Sequence, residues 1–338
     1  MSKNPWARII IVAFNSGNVL QKCLNHLAKT NTHDYEVVIV DNNSSDGCVS
    51  NIILPNSKFK IIYSKTNIGF AAASNLGAEG TKSEWIFTLN PDAFVSKNWL
   101  TECKLAIKKF PNSGMISPLL LDSNDHNTID GCGDVLSIFG HSWRGGNKHP
   151  LSNAPRTYCQ VFSPSGACAG YRSDLFFKAD GFDASFFCYK EDVELGLRLN
   201  RMGEFCIYVP DAVIYHIGSS TLGQRHPFIL YHSYRNSIFM IAKSYPLLNL
   251  VIALPVFTLS VIWIILRNLY SKDNFHIFRG LCMGLISTPF FLLMRFIRDE
   301  RYGYENPYTR YTEGGYYIPM NYSKRDLKNC NIWTKPLN

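Results

Sequence analysis

Four apolar, β-branched runs in the first hundred residues each lead into asparagine or aspartate, at nearly one interval. "ARIIIVAF" stops at Asn15, "YEVVIV" ends at Asp41, "FKIIYS" is followed by Asn67, and "EWIFTL" ends at Asn90 and Asp92. Asn15, Asp41, Asn67 and Asp92 stand 26, 26 and 25 residues apart. That period holds one strand, a turn and one helix, so the chain is expected to build βα units around a mostly parallel sheet. Runs apolar at every position, rather than at every second one, imply strands covered by helices on both faces. The intervening "SGNVLQKCLNHLAKT" sets Leu20, Leu24 and Leu27 at helical spacing. "NIGFAAASNLGAEGT" is a helix of small residues suited to close packing on a sheet. Open α/β sheets bind ligands outside the carboxyl ends of their strands. One Asn or Asp there is as readily a helix cap or a turn residue; four in phase favour a binding site.

From about residue 111 to 165 the sequence is rich in loops, and "GHSWRGGNKHPLSNAPR" sets Trp143 and Arg144 among glycines. Long ordered loops in enzymes often form binding surfaces. "FSPSGACAGYRSDLF" restores a strand and a helix start, and "EFCIYVPDAVIYHIGSS" reads as a strand or strand pair ending at His216. Between them, "FFCYKEDVELGLRL" brings Glu191 and Asp192 close behind four apolar or aromatic residues. A carboxylate buried without a partner is costly, so acids in such company need a use. On a helical wheel Glu191, Glu194, Arg198 and Arg201 share a polar sector, while Asp192 falls with Leu195, Gly196 and Leu199 on an apolar arc. Asp192 is therefore expected to point inward, and Glu191 to orient or pair on the charged side. Acids in a first helical turn also serve simply as partners of the helix dipole.

The net charge of +8 is unevenly spread: 22 basic against 20 acidic residues up to position 240, then 12 against 6. The excess lies beside the most apolar text. Residues 244–266 carry no charge over 23 positions, long enough to cross a bilayer, whereas residues 280–294 give only 15, short for crossing. Asn249, Pro255 and Pro289 interrupt these runs. A spanning pair, a hairpin lying in one leaflet with arginines reaching the head groups, and a buried helical subdomain are the alternatives. Membrane association leads among them. Basic residues beside apolar helices favour an anionic membrane surface over nucleic acid. The tail from residue 299 reads as cytosolic loop. The ten cysteines are scattered singly, without CxxC or zinc-ligand spacing, and read as reduced thiols of a cytosolic domain. The N-terminal apolar run is too short for a signal peptide. "FNSGNVL" after the first strand has one glycine where a nicotinamide-dependent Rossmann enzyme needs G-x-G-x-x-G, which argues against that class.

Read together, "VAFNSG", "VDNNSSDG", "NIGFAAASNLG", "LNPDAFV", "DGCGDV…GHSWRGG", "SPSGACAGYR", "GFDASFFCYKEDVELGLRL" and "VPDAVIYHIGSST" resemble the family-two inverting glycosyltransferases of the GT-A fold. The likeness is to their bacterial rhamnosyltransferase-like branch; it covers residues 7 to about 221, with "YRNSIF" as a further echo. The resemblance implies a transferase domain over residues 1–240 and a membrane-associating helical segment and tail over 241–338. It implies a nucleotide-diphosphate sugar donor, dTDP- or UDP-linked with rhamnose first, and a lipid-linked saccharide acceptor in surface polysaccharide (O-antigen) assembly. The enzyme would work at the cytoplasmic face of a bacterial membrane; a catalytically silent sugar-binding protein of the same fold is the rival. By the same resemblance Phe14, Asn15, Asp41, Asn43, Asn67, Gly69, Asn75 and Asn90 border the nucleotide and pyrophosphate. Asp92 and His216 would hold Mg²⁺ or Mn²⁺, although "NPD" keeps only the second acid of the family's DxD pattern. Asp192 would be the catalytic base with Glu191 beside it, and Trp143, Arg144 and Gly166 would border the acceptor or sugar.

Overall fold

The computed structural model describes residues 4–218, 226–302 and 335–337. In chain order the first half forms β1 (Ala7–Ala13), α1 (Val19–Ala28), β2 (Tyr35–Asp41), β3 (Phe59–Tyr63), α2 (Gly69–Ala78), β4 (Trp85–Leu89), β5 (Ala93–Val95), α3 (Trp99–Lys109) and β6 (Met115–Asp122). Four short strands follow: β7 (Ile129–Gly131), β8 (Asp134–Leu136), β9 (Ser142–Arg144) and β10 (Cys159–Val161). Then come β11 (Cys168–Arg172), α4 (Ser173–Lys178), α5 (Glu191–Arg201), β12 (Cys206–His216), α6 (Pro227–Ser244), α7 (Leu247–Arg267), α8 (Asp273–Tyr302) and β13 (Lys335–Pro336).

The four repeated runs are β1 to β4, and they pair in parallel in the order β4-β1-β2-β3. The expected helix between β2 and β3 is missing, and turns fill residues 42–58. Beyond β4 the sheet continues through antiparallel β11 to β6, which pairs in parallel with β12. Thus β1, β2, β3, β4, β6 and β12 all point one way, and their carboxyl ends open on a common rim. Alternate strand residues serve opposite faces: Ile9 and Ile11 pack with Leu20, Leu24 and Leu27 of α1, while Ile10 and Val12 pack with the alanines of α2. The small residues of α2 are required by this contact, since a Cβ on Gly77 would come within 2.5 Å of Ile10 Cγ2. The run ending at His216 is one strand, with a register shift between Val209 and Val213.

Three readings of the helices are corrected. The charged sector of α5 faces inward: Glu191, Glu194, Arg198 and Arg201 are all buried, whereas Asp192 is half-exposed. At the middle of the sector the Glu194–Arg198 pair satisfies its own charges. Arg198 donates to both Glu194 oxygens at 2.8–3.0 Å, to Gly181 O at 2.7 Å and to Ala179 O, and Ser244 Oγ donates to Glu194 Oε1 at 2.5 Å. The second C-terminal apolar run is not short, because its helix begins before Arg279 and offers 23 residues, Asp273–Arg295, apolar enough to cross a membrane. The loop assigned from 299 does not begin there, since α8 runs to Tyr302, and Lys335–Pro336 form a strand; residues 303–334 lie outside the described residues. Only 22% of the α7 span and 33% of the α8 span is buried, so neither is a core helix of this chain. Their inner faces pack on α6 through Phe257, Val261, Ile277 and Leu281, in one cluster with Val193 and Leu197 of α5. The division drawn at residue 240 falls inside α6.

Candidate active site

One cavity of about 1500 Å³ opens on the rim of strand ends. Its walls include Phe14 and Asn15 after β1, Asn42 after β2, Asn67 and Gly69 at the start of α2, and Asn90 and Asp92 after β4. Asp122 closes β6 and His216 closes β12 on the same wall. Trp143 and Arg144 of β9, and Phe187 and Tyr189 before α5, complete its middle, and Val256, Ser260 and Trp263 of α7 form its far side. The positions 256, 260 and 263 make one face of a helix. The apolar C-terminal segment is therefore part of the cavity wall.

Backbone and side chains at the strand ends tie one another down. Asn42, 2% exposed, donates Nδ2 to Asn67 Oδ1 at 2.9 Å and accepts the Ile68 N–H at 2.9 Å. Asn67 Oδ1 also accepts the Gly69 N–H at 3.0 Å. Gly69 stands at φ +82, and a Cβ there would lie 2.5 Å from Phe187 O, so glycine alone fits. Asn15 Oδ1 accepts the Ser45 N–H at 2.8 Å.

His216 is the best-held side chain of the rim. Its Nδ1 lies 2.8 Å from Asp130 Oδ2 and its Nε2 lies 3.3 Å from Asp92 Oδ1. Burial disfavours the imidazolium, but the hydrogen bonds and charges of Asp130 and Asp92 outweigh it and raise the His216 pKa. Asp130 in turn pairs with Arg144 and accepts from Asn147 Nδ2 at 3.4 Å. Burial opposes its charge, yet His216 and Arg144 hold its carboxyl below the usual range. Two donor atoms bound side by side to one ion at about 2.0–2.2 Å lie roughly 3 Å apart. The Asp92 and His216 atoms meet that spacing, and an imidazole beside a carboxylate suits Mn²⁺. Among the described residues no group of three His, Cys, Asp or Glu side chains is placed to hold an ion, so phosphate oxygens and water would have to complete the shell.

Six of the expected site residues lie off this wall. The Asp41 carboxylate turns back to accept the Ser44 N–H at 2.9 Å. Asn43, at φ 65, is exposed on the following turn. Both ends of the Asn75 amide are spent on the backbone of Phe182, at 2.7 and 2.9 Å. Gly166 donates its N–H to Asp192 Oδ2 at 2.7 Å, which fixes that carboxylate beside the wall rather than on it. Glu191 is buried with no partner for Oε2; burial first, and then the Asp192 charge, push its carboxyl well above the usual range. Asp134, 5% exposed, is pushed well above that range by burial and by Asp192. Conversely, Asn42, Asp130, His141 and Asn147 line the cavity without having been singled out. Asn42 adjoins the strand-end Asp41, and Asp130 begins the quoted "DGCGDV".

Residues 8–177 match the family model described as Glycosyl transferase family 2. An N-acetylglucosaminyl-diphospho-decaprenol L-rhamnosyltransferase of Mycobacterium tuberculosis is 25% identical over 243 residues, 64% of this chain and 77% of that protein. Among solved structures, GalNAc-T7 with UDP, GalNAc and Mn²⁺ superposes with a TM-score of 0.56 at 17% identity, over 72% of this chain and 48% of that one. The mannosyltransferase PcManGT of Pyrobaculum calidifontis, with GDP-Man and Mn²⁺, gives 0.53 at 14% identity, over 85% and 88% of the two chains. The fold of the sheet and its helices is that of GT-A glycosyltransferases.

Proposed function

The chain belongs to glycosyl transferase family 2, and on that premise we propose that it is an inverting, membrane-associated transferase. It moves a sugar, rhamnose first, from a dTDP- or UDP-linked donor to a hydroxyl of a lipid-linked saccharide during cell-surface polysaccharide assembly. One observation carries the reading: a single cavity joins the polar strand ends to Val256, Ser260 and Trp263 on a helix that also exposes Leu248, Val251, Ile252 and Leu259. A donor fits the polar end and the head of an amphiphilic acceptor fits the α7 end. Between the two, His141 bridges to α7, with Nε2 at 2.9 Å from Ser260 Oγ. The name of the mycobacterial relative supports both the sugar and the lipid-linked acceptor.

In this reading Phe14, Asn15, Asn42, Asn67 and Asn90 hold the nucleotide and diphosphate, and the backbone at Gly69 approaches them closely. Asp92 and His216 hold a divalent ion, Mn²⁺ before Mg²⁺, consistent with the ion present in the two solved structures. When bound, such an ion would offset the charge that develops on the departing diphosphate. Asp192 is the base that takes the acceptor hydroxyl's proton as that oxygen attacks the anomeric carbon, and the Gly166 N–H orients its carboxylate. Trp143 and Arg144 border the acceptor or the sugar. The transferase unit drawn over residues 1–240 and the membrane-associating one over 241–338 share α6, and both work at the cytoplasmic face, where the nine described cysteines stay free thiols.

Thermal-shift measurements with dTDP-rhamnose, UDP-sugars and GDP-mannose, each with and without Mn²⁺, test the donor side. A ligand at about 100 times its Kd stabilises a fold by roughly 2.7 kcal/mol. The expected result is a Mn²⁺-dependent rise in Tm with a dTDP- or UDP-sugar that disappears in Asp92→Asn. Equal shifts in wild type and variant, or none with any nucleotide sugar, would overturn the reading.

A further inference from the structure

"YRNSIF" in α6 has no part in the donor or acceptor contacts, yet it grips a strained loop at the site. Of the seven non-glycine residues at positive φ among the described residues, three fall between 187 and 190. Phe187 stands at φ 65, ψ −65, and Cys188 N–H donates to Phe186 O at 2.8 Å, closing a three-residue turn of the rare, strained hand. Tyr189 and Lys190 follow, both at φ 71. A non-glycine residue persists in such a conformation only when its surroundings over-determine it.

Here the surroundings are identifiable. Asn236, 0% exposed, directs Nδ2 at three loop carbonyls: Phe186 O at 2.9 Å, Cys188 O at 2.9 Å and Tyr189 O at 2.7 Å. Arg235 Nε donates to Asn236 Oδ1 at 2.8 Å, which sets the amide so that its NH₂ faces those carbonyls, and Arg235 Nη2 donates to Phe186 O at 2.8 Å. From the opposite side Phe187 O accepts the Ala71 N–H at 3.2 Å, at the start of α2. The loop is thus held between α6 and the helix that begins at Gly69, and its Phe187, Cys188 and Tyr189 line the cavity. Behind α6 lies α8, so close that a Cβ on Gly280 would stand 2.5 Å from Tyr231 O.

We propose that Asn236 is a positioning residue for transfer: its amide holds residues 186–190 in the shape that presents Tyr189 to the cavity and starts α5 at Glu191 and Asp192. The inference rests on the transferase reading of this cavity, but not on the identity of the sugar. In Asn236→Asp the amide NH₂ becomes a carboxylate oxygen facing three carbonyls. Asn236→Ser withdraws the contact without that repulsion and covers the case in which the Asp variant does not fold. The full chain in detergent is assayed for UDP binding with Mn²⁺ by calorimetry, for nucleotide release from the donor that most stabilises wild type, and for hydrogen exchange. Expected are a UDP affinity within a few-fold of wild type, turnover per UDP-binding site lower by on the order of 100-fold, and faster exchange confined to 186–192. Normal turnover per site, or exchange rising across the whole chain, would overturn the proposal. Wild-type protein inert toward every donor would count instead against the functional reading; unchanged exchange at 186–192 in both variants would then still overturn the clamp.

Discussion

Asp130→Asn keeps the size of the residue and removes half of its accepting power, which makes it a sharp probe of the rim. The Asp130 carboxylate serves His216 Nδ1 at 2.8 Å and the guanidinium of Arg144 at the same time. Both donors meet the same oxygen, Oδ2, while Oδ1 faces Asn147 Nδ2 at 3.4 Å. In the amide the oxygen that keeps the place of Oδ2 still accepts from both but is neutral, and the NH₂ meets the Asn147 NH₂, donor against donor. Losing the carboxylate charge weakens both bonds, together by about 1.5–3 kcal/mol. If His216 and Asp92 hold the ion, the loss appears as a looser and mis-aimed imidazole, because the partner on Nδ1 fixes where Nε2 points. At 1.4 kcal/mol per decade the expected weakening of Mn²⁺ is about 10- to 100-fold. Titrating Mn²⁺ in the presence of UDP, with free ion read by electron paramagnetic resonance, measures it directly, and a melting curve confirms the fold. Mn²⁺ affinity unchanged in a folded Asp130→Asn protein would refute the argument that Asp130 aims a metal ligand.

Further outcomes are expected elsewhere in the molecule. Glu194→Ala leaves Arg198, 1% exposed, without its carboxylate; stability in urea should fall by about 3–5 kcal/mol, and a loss under 1 kcal/mol would contradict the described network. Asp134 has a raised folded pKa, so the unfolded chain releases its proton first and stability declines as pH rises above about 4. Asp134→Asn should remove that decline, gaining up to about 1.4 kcal/mol per pH unit within the window, and parallel pH profiles for the two proteins would sink the assignment. Ile252→Glu with Leu259→Glu alters two exposed apolar positions of α7, at 60% and 65% exposure. The doubly substituted protein should keep its Tm yet stop co-sedimenting with anionic vesicles, and undiminished sedimentation would remove α7 from membrane binding.

Much of the architecture was legible because burial of a parallel sheet leaves a plain mark. The β1, β2 and β4 runs are buried over most of their length, and their common period predicted the strands, their order in the chain and the Asn- and Asp-bearing rim. Phe14, Asn15, Asn67, Gly69, Asn90, Asp92, Trp143, Arg144 and His216 do meet in one cavity. What failed was inference from side-chain polarity alone. A helical wheel assigns charge to solvent, but α5 is enclosed by the sheet on one side and α6 on the other, and its Glu194–Arg198 pair is internally satisfied. Asn75 was expected at the ligand from the family resemblance; its amide instead ties α2 to Phe182, 107 residues away. Asp130 and Asn236 act through contacts across 86 and about 50 residues, and no local pattern announces pairings of that range. The reach of α7 into the cavity was equally hidden, since its apolarity reads the same whether it meets lipid, core or ligand.

The most direct test of the account is the stereochemistry of transfer. Supplied with the nucleotide sugar that stabilises it most and a prenyl-diphosphate-linked saccharide, the enzyme should form a product whose anomeric configuration, read by proton NMR, is inverted relative to the donor. In Asp192→Asn the same product should form slower by about 10²–10⁴-fold, with UDP binding retained. Retained configuration, or full turnover without the Asp192 carboxylate, would contradict single-step displacement with Asp192 as base.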